Sequence, residues 1–301
     1  MLTKTRSLFR LPQKAVKERK HRRINRSWYG SLLLFLFLAV CAFFTAMPLI
    51  YSVVTAFKPL SELWRFPPTL FTVNNPTLNN FLELWTLMSN SWVPLTRYLF
   101  NTVFITFCGT AGHVIFASMC AYPLAKHRFP GKAFYLHMIT LSLMFNAAVT
   151  GIPNYLTMSK LGWIDTYMAM IVPAFGSSLG VYLIVQFMSQ IPDSIFEAGK
   201  IDGANEWVLF WRLMMPQVKP AWLTAMIFSV QSLWNMGANS YIYSESIKTL
   251  PYALSQVVAG GIARAGVAAA VTVILMIVPI VIFVVSQSNI ILTMTSSGMK
   301  E

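Results

Sequence analysis

The chain alternates between long apolar stretches and short polar interruptions, and the lengths of the apolar stretches predict its elements. Six runs are long enough to cross a bilayer, which takes about 20 residues of helix. They cover residues 29–51, 99–124, 133–152, 167–187, 221–243 and 265–286. None of the six contains Asp, Glu, Lys or Arg. Strand-like alternation between apolar and polar positions is absent, which argues against a transmembrane barrel. The pattern predicts an all-α integral membrane protein with six transmembrane helices. Residues 1–28 then form an arm, 29–290 a membrane domain, and 291–301 a short tail. Pro59, Pro67, Pro68, Pro76 and Pro94 mark residues 58–97 as the largest loop, and shorter loops on the same side are expected at 153–166 and 244–262.

Composition agrees with this class: apolar residues make up 56% of the 301 and charged residues 11%, well under the usual quarter. The net charge of +13 would suit a nucleic-acid binder, but its distribution does not. Ten of the 23 Lys and Arg precede residue 29, and such a segment stays in the cytoplasm by the positive-inside rule. Six crossings return the C-terminus to the same side. Lys126, Arg128 and Lys132 then fall inside, as do Lys200, Arg212, Lys219 and Lys300. The arm is read as a topology signal lying against lipid, not as a nucleic-acid site. A cleaved signal peptide is not expected, because the first run starts late and continues through Met47, Pro48 and Leu49 without a small-residue cleavage pattern. Cys41, Cys108 and Cys120 lie within apolar runs, and no disulfide or metal spacing is present.

One polar interruption is unlike the others. Four of the ten carboxylates, Asp193, Glu197, Asp202 and Glu206, fall within fourteen residues. Ser194 to Glu197 reads as an [ST]-x-x-E capping box starting a short helix that carries Ile195, Phe196, Ala198 and Ile201. Asp202-Gly203 reads as a turn pair, with Gly203 free to adopt positive φ. A second helix is expected from about Asn205 through Trp207, Phe210, Trp211 and Leu213, ending at Pro216. Ala198, Gly199, Gly203 and Ala204 leave room for another surface to approach. A solvated loop would explain the acids, but not the small residues or the apolar ones between them.

Residues 193–216 resemble the EAA loop of binding-protein-dependent ABC importers: E-A-A, three residues, G, nine residues, I-x-L-P. Glu197, Ala198 and Gly199 take the first three places, Gly203 the fourth, and Leu213, Met215 and Pro216 the last. Gly199, Leu213 and Met215 depart mildly from the pattern. The likeness extends over residues 153–254, and there it is similar to the shorter, six-helix permease subunit of maltose-type carbohydrate importers. The tail SQSNIILTMTSSGMK is similar to permeases for oligosaccharides, including those from pectin and alginate.

The resemblance implies a type I ABC importer permease fold in a bacterial cell membrane, with both termini cytoplasmic. It implies four kinds of partner: a second permease subunit, two cytoplasmic ATPase subunits, an extracytoplasmic solute-binding protein, and membrane lipid. The loop's first helix would be a coupling helix seated on an ATPase subunit, with Glu197 as a docking charge, Gly203 as the turn, and the residues up to Pro216 as the anchor. ATP and Mg would be used by the partner, since this chain has no G-x-x-x-x-G-K-[ST] phosphate cradle. It would be a transporter subunit rather than an enzyme, with no cofactor of its own. Two alternatives stand beside a sugar importer. One is an importer of polyamines or amino acids with the same lever; the other is an ion-coupled secondary transporter, which would need charged groups inside the membrane.

For a substrate path, Gln231, Asn235 and Asn239 recur every four residues and share a helix face, with Trp234 and Ala238 beside them. Amides donate to and accept from sugar hydroxyls, and an indole can cover a sugar ring. The same stripe could equally serve helix–helix hydrogen bonding, worth about 0.6–2 kcal/mol per contact. The family often carries an acid after the Trp-Asn pair, where this chain has Met236, and the resemblance implies that the partner permease holds most of the sugar. Thr102, Thr106, Thr110 and His113 form a second stripe, with His113 read as a hydrogen-bonded packing residue. Asn146, Thr150 and Gln186 are further polar positions in predicted spans.

Overall fold

A computed structural model describes residues 28–297 except 67, 68, 91, 146, 238–240, 260, 262 and 263. The basic arm, Ala238, Asn239 and the last four residues of the tail thus lie outside the described residues. Every regular element among the described residues is helical. The chain divides into two units, 1–49 and 50–301. The first holds most of α1 (Trp28–Ala56), a 29-residue apolar helix containing Pro48.

The second unit is organised around α4 (Leu95–Lys126), whose 32 residues bury Ile105, Ala117 and Ala121 completely. Ahead of it come α2 (Leu60–Leu63) and α3 (Asn79–Ser89); α5 (Lys132–Ser142) and α6 (Ala147–Lys160) follow. Against α4 pack α7 (Met168–Phe175), α8 (Ser178–Ser189) and α12 (Lys219–Trp234), while α14 (Ala265–Ser297) packs on α12, α3 and α13 (Leu250–Val258). Between α8 and α12 lie α9 (Asp193–Ile201), α10 (Glu206–Val208), a π-helical stretch (Leu209–Met214) and α11 (Met215–Gln217).

Small residues set these helix crossings. A Cβ on Gly112 would fall 2.0 Å from the Phe175 ring of α7, and one on Gly109 would fall 2.6 Å from Leu233 of α12. Where helices approach this closely, packing is carried by van der Waals contact, as expected in a membrane where apolar burial drives little.

Among the described residues, four helical segments are long and apolar enough to cross a membrane: Trp28–Ala56, Leu95–Lys126, Met168–Ser189 and Ala265–Gln287. The other two predicted spans are present but not as single long helices. Residues 133–152 are divided between α5 and α6, where Met144 and Phe145 turn back to Leu141 and Ser142 by i→i+3 bonds. The predicted span 221–243 is α12, which stops at Trp234 after 16 residues, about 24 Å of helix. The Asn235 side chain bonds the Gln231 carbonyl at 2.9 Å and Gly237 follows, so a competing side chain and a poor helix former end it early. The fourth predicted span, 167–187, carries its own break, with Gly176 capping α7 and Ser177 extended before α8.

Candidate functional site

The acidic loop folds as two short helices joined at Gly203. Pro192 takes the cap position of α9 with φ −59° and ψ 138°, and no side chain caps that end. The helix therefore starts at Asp193, one residue before a Ser194 cap could act, and the expected capping box does not form. A proline ring already holds the φ that a cap residue needs, so the hydroxyl is not required. Asp193 in the first turn and Lys200 in the last suit the helix dipole.

The other end closes as a Schellman motif. Gly203 has φ 78°, its N–H bonds the Lys200 carbonyl, and the Ala204 N–H bonds that of Gly199, both at 3.0 Å. Asn205 then caps the second helix by accepting the Val208 N–H at 2.9 Å. Contrary to expectation, Pro216 does not end this helix, which continues to Gln217. The π-helical turn Leu209–Met214 precedes it. Widening the helix there makes room for a ring that would otherwise strike the carbonyl four residues back. Only Val218 separates this segment from α12.

The inner face of the loop is anchored. Phe196, Leu209, Phe210 and Met214 are buried in one cluster with Tyr122 of α4 and Met188 of α8. Gly199 permits this contact, because a Cβ there would lie 2.7 Å from Leu209 Cδ2. That accounts for glycine where the family pattern has alanine.

The four acids divide into two pairs. Lys126, at the end of α4 and only 6% exposed, donates to Asp193 Oδ1 at 2.8 Å and to the Ile191 carbonyl. The Lys126 ammonium keeps the Asp193 carboxyl below its usual range. Glu206 accepts from the Tyr122 hydroxyl at 2.7 Å, pairs with Lys200 at 3.0 Å, and lies 3.5 Å from the His127 ring. The Tyr122 bond, aided by Lys200, holds the Glu206 carboxyl below its usual range. Asp193 and Glu206 thus tie the loop to α4. Glu197 and Asp202 are exposed, beside Ala198 and an Ile201 side chain that is 85% exposed. This outward face combines charge, a small residue and an unpacked apolar residue.

The proposed substrate stripe is only partly assembled. Gln231 and Asn235 are exposed together at the end of α12, and Asn239 lies outside the described residues. Trp234 is separated from them: it is buried, and its Nε1–H donates to the Leu275 carbonyl of α14 at 3.0 Å. Its ring borders a cavity of about 630 Å³ whose walls, including Val103, Phe107, Trp222 and Ile282, are almost wholly apolar. Thr106 and Thr110 of α4 are its only hydroxyl-bearing lining residues among those described.

The α4 stripe is buried in the fold. The Thr102 hydroxyl donates to the Tyr98 carbonyl and accepts the Leu250 N–H. Thr106, Thr110 and His113 have no hydrogen-bond partner among the described residues. His113 is instead wedged against α8, where a Cβ on Gly180 would fall 2.0 Å from Nε2. The expected hydrogen bond is not formed among the described residues, where the ring is held by packing. Of the remaining positions, Gln186 is exposed and Asn146 lies outside the described residues.

One residue that sequence reasoning passed over is Asp165, a non-glycine with φ 61°. It joins the 161–167 turn to the segment after α12: its N–H donates to the Tyr241 carbonyl, and its carboxylate accepts the N–H groups of Tyr243 and Ser244. No motif marks it in the sequence.

Comparison with known proteins agrees with this architecture. Residues 113–293 match the family described as "Binding-protein-dependent transport system inner membrane component". Protein LplC of Bacillus subtilis (strain 168) is 31% identical over 213 residues, covering 69% of this chain and 68% of that protein. The arabinooligosaccharides transport system permease protein AraQ of Halalkalibacterium halodurans is 27% identical, with 90% and 96% covered. Among solved structures, a chain of a bacterial ABC transporter involved in import of the acidic polysaccharide alginate superposes with a TM-score of 0.74 at 21% identity, covering 88% of this chain and 98% of that one. The helical fold is thus shared with that structure, and this chain is a member of the binding-protein-dependent transport system inner membrane component family.

Proposed function

We propose that the chain is the permease subunit of an ATP-driven importer of carbohydrate, most specifically of an oligosaccharide. The observation that carries the mechanism is the loop 193–216. Its inner face is fixed to α4 and α8, its outer face presents Glu197, Ala198, Ile201 and Asp202, and its second helix runs into α12. An ATPase subunit seated on α9 would push on α12 through a nearly continuous helix. ATP and Mg act in that partner; two such subunits, a second permease subunit and an extracytoplasmic binding protein complete the assembly. Gln231 and Asn235 at the far end of α12, with Asn239 beyond them, are the polar groups that this movement would present to a passing sugar.

The sidedness rests on the contacts. Segments expected inside meet one another, through Lys126–Asp193 and Tyr122–Glu206. Segments expected outside do the same, through Asp165 with Tyr243 and Ser244 and through Arg97 with Ser246. The positive-inside rule places the first group in the cytoplasm. The substrate class rests on relatives whose names specify arabinooligosaccharides and alginate.

The test is uptake by the complete assembly in membrane vesicles. Labelled arabinan- and alginate-derived oligosaccharides are offered with and without internal ATP, beside putrescine and glutamine. ATP-dependent uptake of an oligosaccharide, reduced by Asn235→Leu at normal assembly, is the expected result. Uptake of only the amine or the amino acid would overturn the carbohydrate reading.

A further inference from the structure

Three tyrosines from two separate segments meet where the outer loops join. Tyr155 lies on α6, while Tyr241 and Tyr243 lie between α12 and the 3₁₀ turn Glu245–Ile247. The rings of Tyr155 and Tyr241 stack, with centroids 6.3 Å apart and planes 21° from parallel. The hydroxyls of Tyr155 and Tyr243 lie 3.2 Å apart. Tyr243 is 61% exposed and the other two rings are half-buried.

The platform is held rigid from below. The Asp165 N–H donates to the Tyr241 carbonyl at 2.8 Å, and Asp165 Oδ1 accepts from the Tyr243 and Ser244 N–H groups at 3.0 and 2.8 Å. The Ser244 hydroxyl donates to Oδ2. These bonds, the Ser244 hydroxyl foremost, hold the Asp165 carboxyl below its usual range, so it stays ionised at neutral pH. A non-glycine residue at positive φ persists only where its surroundings hold it. Here it spans two loops and fixes the backbone beneath two of the three rings.

Tyrosines at the membrane surface commonly form an interfacial belt, in which each ring stands in the headgroup layer. Here the Tyr155 and Tyr241 rings face one another, the Tyr155 and Tyr243 hydroxyls converge, and the backbone is clamped by a carboxylate. Rigid tyrosines with few rotatable bonds make contact area at low entropic cost. We propose that Tyr155, Tyr241 and Tyr243 form a saccharide-contacting platform at the outer mouth of the transporter, their ring faces receiving the C–H face of a sugar and their hydroxyls bonding its rim. This rests on the carbohydrate reading above.

The complete assembly in vesicles is the system, and the probe is the labelled panel oligosaccharide that the wild type takes up. Tyr155→Leu and Tyr241→Leu should each lower uptake per assembled complex by about threefold to tenfold, the effect of losing roughly one aromatic contact. Tyr155→Phe and Tyr241→Phe should retain most of it. A benzophenone-bearing residue in place of Tyr243 should cross-link the labelled sugar, which tests the contact even if a leucine variant fails to assemble. Wild-type uptake in the leucine variants, or no cross-link in vesicles that import the sugar, would overturn the platform. A loss confined to the amount of assembled complex, with no cross-link, would assign the rings to the interfacial belt instead. Absence of uptake of every panel sugar by the wild type would instead defeat the carbohydrate reading, and the platform with it.

Discussion

Gly203 and Gly199 are glycines for different physical reasons. Gly203 sits at φ 78° with nothing within 4 Å of where a Cβ would be, so its constraint is backbone strain alone. Gly199 has an ordinary φ but faces Leu209 at 2.7 Å, so its constraint is space. Gly203→Asp should therefore cost about 1–2 kcal/mol of loop stability, while Gly203→Asn, whose side chain tolerates the left-handed region, should cost less. Both variants should insert normally, and substrate-stimulated ATP hydrolysis should fall in the order wild type, asparagine, aspartate. Equal activity in all three would remove the turn from the mechanism. The need for Gly203 was legible in Asp202-Gly203 and the family spacing. The reason for Gly199 was not, because the Leu209 side chain reaches it only after both helices have packed.

Among the elements, the end of α4 and the loop 193–216 form one electrostatic unit. Lys126 is nearly buried and satisfied by Asp193 and the Ile191 carbonyl; Lys126→Met would leave both acceptors without their cation. The expected outcome is a loop that still binds the ATPase but transmits less, read as more ATP hydrolysed per sugar imported. An unchanged ratio would mean that apolar packing of Phe196 and Phe210 suffices. Glu206 adds a pH dependence. Its carboxyl is held below its ordinary value by the Tyr122 bond, so its contribution is complete above the ordinary carboxylate pKa. The contribution fades as pH falls through the lowered value. Coupling should thus be flat near neutrality and weaken only well into acid, and Glu206→Gln should flatten that acid limb. Residues Asp193 and Glu206 were visible as acids in the sequence, but their partners on α4 lie 67 and 84 positions away. Local pattern carries no such information. The same limit applies to the helices: apolar runs showed where membrane segments lie, whereas the ends at Trp234 and Phe175 depend on how Asn235 and Ser177 direct the backbone.

At the scale of the whole molecule, the function proposed above makes the loop a lever, with α9 as its short arm and a long arm running through the π-helical turn into α12. Buried contacts with α4 and α8 supply its fulcrum. The apolar runs and the EAA spacing made the helical membrane fold and the family readable from sequence. The division of the acids into an inner and an outer pair required the fold. The central claim is that the outer face of α9 is the seat of an ATP-hydrolysing subunit. Ile201, at the end of that helix and 85% exposed, is the natural reporter. A cysteine in place of Ile201, on a background in which Cys41, Cys108 and Cys120 are replaced by serine, can carry a short photoreactive cross-linker in the complete assembly. The account predicts a single main product joining this chain to the ATPase subunit, with a yield that changes when ATP is added. Cross-linking only to lipid or to the second permease subunit, in an assembly that still hydrolyses ATP, would contradict it.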